Sequence, residues 1–93
     1  MKNLIWYLIA GTRGGMTRGR IIRLLKDKPS NMNRIAKELD LDYKTVLHHV
    51  TILEKNNVIE AINKGNYGAV YFLTEIMKYH LKDFAEIWDR FGK

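Results

Sequence analysis

Cysteine is missing from all 93 residues. That excludes disulfides and thiolate metal sites, and it is compatible with a reducing cytoplasm, the compartment expected for this chain. Proline occurs once, at Pro29, where it ends a helical pattern. Long apolar runs are missing too. The stretch Leu4 to Ala10 is seven residues, far short of the ~20 that cross a bilayer. No small-residue cleavage site follows it, since Gly11-Thr12-Arg13 comes next, so a secretory signal is not expected. P-loop, GxGxxG, nucleophile-elbow and HExxH patterns are all lacking. The acids are scattered singly, and an enzyme is not expected.

The residues present favour one domain over 1–93, with 46% hydrophobic content and ten aromatics to build a core and a second buried surface. The net charge of +6 is unevenly placed. Residues 1–28 carry seven Lys and Arg against one acid, while 29–93 carry nine of each sign. A polyanion partner follows, nucleic acid before membrane.

Leu41 to Asn57 reads as one amphipathic helix with marked ends. Asp42 suits the N-cap, where a carboxylate accepts a backbone N–H left free in the first turn. Asn57 suits the stop, because Asn tolerates a left-handed backbone. Val46, Val50 and Leu53 recur at the spacing of a buried face. Lys44, His48, Thr51 and Lys55 recur on another, with donors, a hydroxyl and no acid. Such a face suits a DNA major groove, though it also suits the solvated side of an ordinary core helix. Tyr43 and Thr45, at the start of the same helix, join the candidate DNA-binding set. His48 and His49 point about 100° apart and cannot form one metal face. His48 is read as groove-facing and His49 as packed at the helix interface.

Around this stretch the chain falls into an N-terminal apolar segment (1–11), a helix-turn-helix with hairpin (17–74) and a last helix (75–91). The first segment is a short helix, or alternatively a strand. Thr12 to Gly15 is a break whose backbone N–H groups could hold a phosphate beside Arg13, or a plain linker. Thr17 then caps a helix to about Asp27, with Ile21, Ile22, Leu24 and Leu25 inward and Arg18, Arg20 and Arg23 outward as phosphate contacts. Asn31 caps a second helix with Met32, Ile35, Ala36 and Leu39 inward. Val58 to Ile62 and Ala69 to Thr74 form a hairpin around the loop Asn63 to Gly68. Lys64 at its tip is a phosphate contact or a solubilising charge.

Thr74 caps the last helix, which runs to about Phe91. Met77, Leu81, Phe84, Trp88 and Phe91 form a heptad seam on it. With Leu4, Trp6 and Leu8 they are expected to bury themselves against a second copy, anchored by Phe84 and Trp88. The twofold axis would set the two copies of the Leu41–Asn57 helix about one DNA turn apart, roughly 34 Å. His80 and Asp83 share a face, but two ligands are a weak metal signal, and neither metal nor cofactor is expected.

Helix, turn, helix and hairpin is the order of a winged helix-turn-helix, mainly α with a small β-hairpin. LDYKTVLHHVTILEKNNVI, from Leu41 to Ile59, resembles the recognition segment of the ArsR-type winged-helix regulators. Thr45, Val46, His49, Val50 and Leu53 match its T-V-x-x-H-L-x-x-L core with one conservative change. The opening from Thr12 to Leu25 resembles a branch of these regulators found in archaea, and the likeness spans about Thr12 to Thr74. The likeness implies a winged-helix fold and a DNA-binding habit; taken with the two apolar surfaces, the chain is expected to be a homodimeric, sequence-specific duplex DNA-binding regulator of transcription. Asp40 stands where the family often has Gly, and Leu47 where it often has a small polar or basic residue; this leucine either touches thymine methyl groups or is covered by a neighbouring element. Cysteines that sense metal in many relatives are absent; others use His and Asp on the last helix. A winged-helix protein-interaction module in a transcription or chromatin assembly is a rival reading. So is an RNA-binding protein using the basic N-terminal region.

Overall fold

The computed structural model describes residues 1–64 and 68–92. Among the described residues, six helices and a three-stranded sheet surround one core. The N-terminal apolar segment is a helix, α1 (Lys2–Ile9), because Ile5, Leu8 and Ile9 give it one buried stripe, while Trp6 and Tyr7 stay outside.

Helix α2 (Gly15–Asp27) begins earlier than its Thr17 cap predicts. Its N-cap is Gly14, at φ 86°, a left-handed backbone that glycine adopts without a Cβ penalty. The helix ends before Pro29, as expected. Ser30 and Asn31 then form a two-residue strand, β1, which the sequence reading missed.

Helix α3 (Met32–Leu39) is capped by Asn31, whose side chain accepts the Arg34 N–H at 2.8 Å. It stops at Asp40, which takes the left-handed conformation at φ 55°. Helix α4 (Tyr43–Lys55) is capped by Asp42, which accepts the Thr45 N–H at 2.7 Å. That bond holds the Asp42 carboxyl below its ordinary value. Beyond α4, Asn57 is left-handed at φ 61°.

Strands β2 (Ile59–Ile62) and β3 (Val70–Leu73) pair antiparallel, with Ile59 opposite Leu73 and Ile62 opposite Val70. β1 adds to the other edge of β3, giving the order β1-β3-β2. The loop expected at Asn63 to Gly68 lies partly outside the described residues, at 65–67.

The last helix is two helices. Thr74 caps α5 (Glu75–Tyr79) by accepting the Met77 N–H, and α6 (Leu81–Phe91) restarts after His80 at φ −103° and ψ 16°. Most of the expected seam faces inward, while Phe91 at its end stays half exposed. Met77, Phe84 and Trp88 are core residues of the single chain, as is Leu8 of α1, and α6 packs against α1 of the same chain. Leu4 and Leu81 are partly buried against this core. Trp88 takes its place because position 19 is glycine: a Cβ there would lie 1.9 Å from Trp88 Cζ3. Phe84 and Trp88 are therefore not free to anchor a dimer, since full burial of such rings already stabilises the fold by about 1.5–3 kcal/mol each.

Candidate nucleic-acid interface

Helix α4 sits on the core through Val46, Val50 and Leu53, all essentially inaccessible. That seating leaves Tyr43, Lys44, Leu47, His48, Thr51 and Lys55 exposed on one continuous arc, with Thr45 half-buried at its border. The turn through Asp40 and Leu41 fixes α3 against α4: the Leu41 N–H donates to Ala36 O at 2.9 Å. The arc is thus held out from the body by a rigid pair of helices, the placement a groove-reading helix requires.

The arc is less rich in donors than its composition suggests. Thr51 spends its hydroxyl proton on Leu47 O at 2.7 Å. Glu54, on the hairpin side of α4, is tied to Lys64 Nζ at 2.7 Å. The pairing keeps Lys64 charged to higher pH than usual and compensates the carboxylate nearest the arc. Lys64 therefore starts as Glu54's partner rather than as an unengaged point charge at the tip.

The three arginines of α2 do three different things. Arg18, expected outward as a phosphate contact, is buried at 3% exposure. Its guanidinium donates to Leu8 O at 2.8 Å, to Thr12 Oγ1, to Arg13 O at 3.1 Å, and lies 3.3 Å from His49 Nδ1. A guanidinium has donors but no acceptor, so the ring nitrogen it faces acts as acceptor and His49 is neutral there. Burial, with Arg18 and His48 nearby, holds His49 below its ordinary value. His49 is thus packed between helices, as read from sequence, but with a cationic partner no helical periodicity reveals. Arg20 is exposed and reaches Leu39 O at 3.3 Å, beside the turn into α4. Arg23 lies 5.8 Å over the Trp88 ring, engaged at α6.

Trp6 and Phe91 meet edge-on at 6.3 Å and are each about half exposed. Tyr7, next to Trp6 on α1, is also outward at 57% exposure. His80 Nδ1 and Asp83 Oδ2 are 3.0 Å apart and satisfy each other. Among the described residues no group of three or more metal-ligating side chains forms, and no helix is long and apolar enough to cross a membrane.

Comparison with known proteins converges on this architecture. The profile of the family described as "Bacterial regulatory protein, arsR family" matches residues 16–61, from α2 through most of β2. An uncharacterized HTH-type transcriptional regulator of Methanocaldococcus jannaschii is 30% identical over 64 residues, 69% of this chain. The chain spans only 16% of that protein's length. Among solved structures, diamide-treated YodB of B. subtilis superposes with a TM-score of 0.71 and 25% identity, over 100% of this chain and 93% of its own. Lactococcus lactis ZitR in complex with DNA superposes with a TM-score of 0.66 at 20% identity, over 82% of this chain and 53% of its own. The fold is a winged helix, and the matched family is one of regulatory proteins rather than enzymes.

Proposed function

We propose, starting from the arsR-type winged helix-turn-helix that this chain carries over residues 16–61, that it is a transcriptional regulator binding duplex DNA as a homodimer. The observation that carries this is the α4 arc: a rigidly capped helix holding Lys44, His48 and Lys55 into solvent, with its nearest acid already paired. Lys44 and His48 offer donors to base edges, Tyr43 and Thr45 flank them, and Lys55 and Arg20 take phosphates. A chromosomal partner puts this work in the cytoplasm. The exposed pair of Trp6 and Phe91, with Tyr7 next to Trp6, supports self-association, since aromatic patches favour interfaces.

The test is binding of labelled duplexes, selected from a random pool, across a salt series. Lys44→Ala is expected to weaken a selected duplex by about 1–3 kcal/mol and random duplex less. Arg20→Ala should reduce the slope of log affinity against log salt by about 1, while Arg23→Ala, engaged at α6, should leave it nearly unchanged. A protein that binds no duplex at low salt, or binds with no salt dependence, refutes the reading.

A further inference from the structure

The centre of the α4 arc is apolar. At about 100° per residue, Leu47 and Thr51 fall between Tyr43 on one side and Lys44, Lys55 and His48 on the other, with the half-buried Glu54 between Tyr43 and Leu47. Leu47 is 45% exposed and is not among the residues packed on the core. One turn on, Thr51 has turned its hydroxyl proton back to Leu47 O, leaving that position without a free donor. A leucine left uncovered at the middle of a charged, outward helix face gains by meeting an apolar feature on the surface that face meets.

Lysines at positions 44 and 55 border it, and the nearest carboxylate is held by Lys64 at 2.7 Å. The complementary surface is therefore anionic with a small apolar feature at its floor. The major groove offers one such feature among its base edges, the C5 methyl of thymine. We propose that Leu47, with the hydrocarbon part of Thr51, reads thymine methyl groups, making it a specificity-determining residue of this chain. This rests on α4 entering the major groove. Lys44 and His48 serve the polar base edges on one side, while Leu47 selects an A·T pair by shape and by removing the methyl from water.

The experiment replaces each thymine of a selected duplex, one at a time, by uracil, which differs only by that methyl. At one thymine per half-site, affinity should fall about fourfold, the effect of leaving one methyl-sized group unburied. Replacing cytosine by 5-methylcytosine at that position should bind better than unmodified cytosine. In Leu47→Ala the thymine and uracil duplexes should bind alike, with the helical circular dichroism of the parent retained. Uniform affinity for all uracil variants, with binding to the parent duplex intact, would overturn the role of Leu47 and leave the groove reading standing. Thymine discrimination that survives in Leu47→Ala also overturns it. Failure to bind any duplex removes the groove reading and this inference together.

Discussion

Two amphipathic regions of this chain look alike in sequence and behave differently in the fold. Helix α4 buries one stripe and leaves the other face open. Helices α1 and α6 carry comparable apolar stripes, yet they turn them toward each other and toward α2 within the same chain. Periodicity reports that a face will be buried. It is silent about whether the covering surface belongs to the same chain or to another. For α4 the question did not arise, because its caps and the left-handed turn at Asp40 fix it locally. For α6 the answer depended on a glycine 69 residues away in sequence, at position 19, which makes room for Trp88.

The largest expected effect tests that difference directly. Trp88→Ala should lower folding stability by about 3–5 kcal/mol, read from urea denaturation, because the ring fills the core between α2 and α6. A Trp88→Ala chain that keeps its stability but loses only self-association would return Trp88 to an interface. Phe91→Ala, at the exposed aromatic pair, should do the reverse and change oligomeric state in sedimentation more than stability.

The next effect concerns the joint between the two regions. His49→Ala should cost about 1–3 kcal/mol, because Arg18 loses a buried acceptor. The wild-type chain should also weaken in acid. His49 is held below 6.5 in the folded chain, so the unfolded chain takes up its proton first as pH falls. The stability contributed by the neutral ring is present above about pH 6.5 and is lost as pH drops from there through the lowered folded value. Denaturation midpoints measured in that window should fall less steeply in His49→Gln than in the parent.

The smallest effect separates the open face from its surroundings. Lys64→Ala should weaken DNA binding severalfold, less by losing a phosphate contact than by uncovering the Glu54 carboxylate. Adding Glu54→Gln should restore most of the affinity in a titration at low salt. If the double variant binds no better than Lys64→Ala, the lysine meets DNA itself.

What could be read beforehand was local chemistry. Asn31, Asp42 and Thr74 are caps in the structure as their side chains dictate, and Asp40 and Asn57 are left-handed where short polar residues permit it. The exposed Lys44, His48, Thr51 and Lys55 followed from helical spacing alone. Three features were illegible. β1 is two residues long and has no period to detect. The break at His80 carries neither Gly nor Pro to announce it. Arg18 is buried by acceptors from α1, the following linker and α4, none of which is its neighbour along a helix. A run of arginines on one helix looks uniform until each finds a different partner.

Arg18 also ties events at one end of the molecule to the other. Its single guanidinium holds the last turn of α1 at Leu8 and the middle of α4 at His49. A displacement of α1 would have to break or carry with it a side chain that also touches α4. If the two helices move together, thermodynamic reciprocity makes a duplex that prefers one setting of α4 shift α1 by the same free energy. Were the chain to pair through Trp6 as proposed, that pairing and its DNA affinity would report on each other through this one guanidinium.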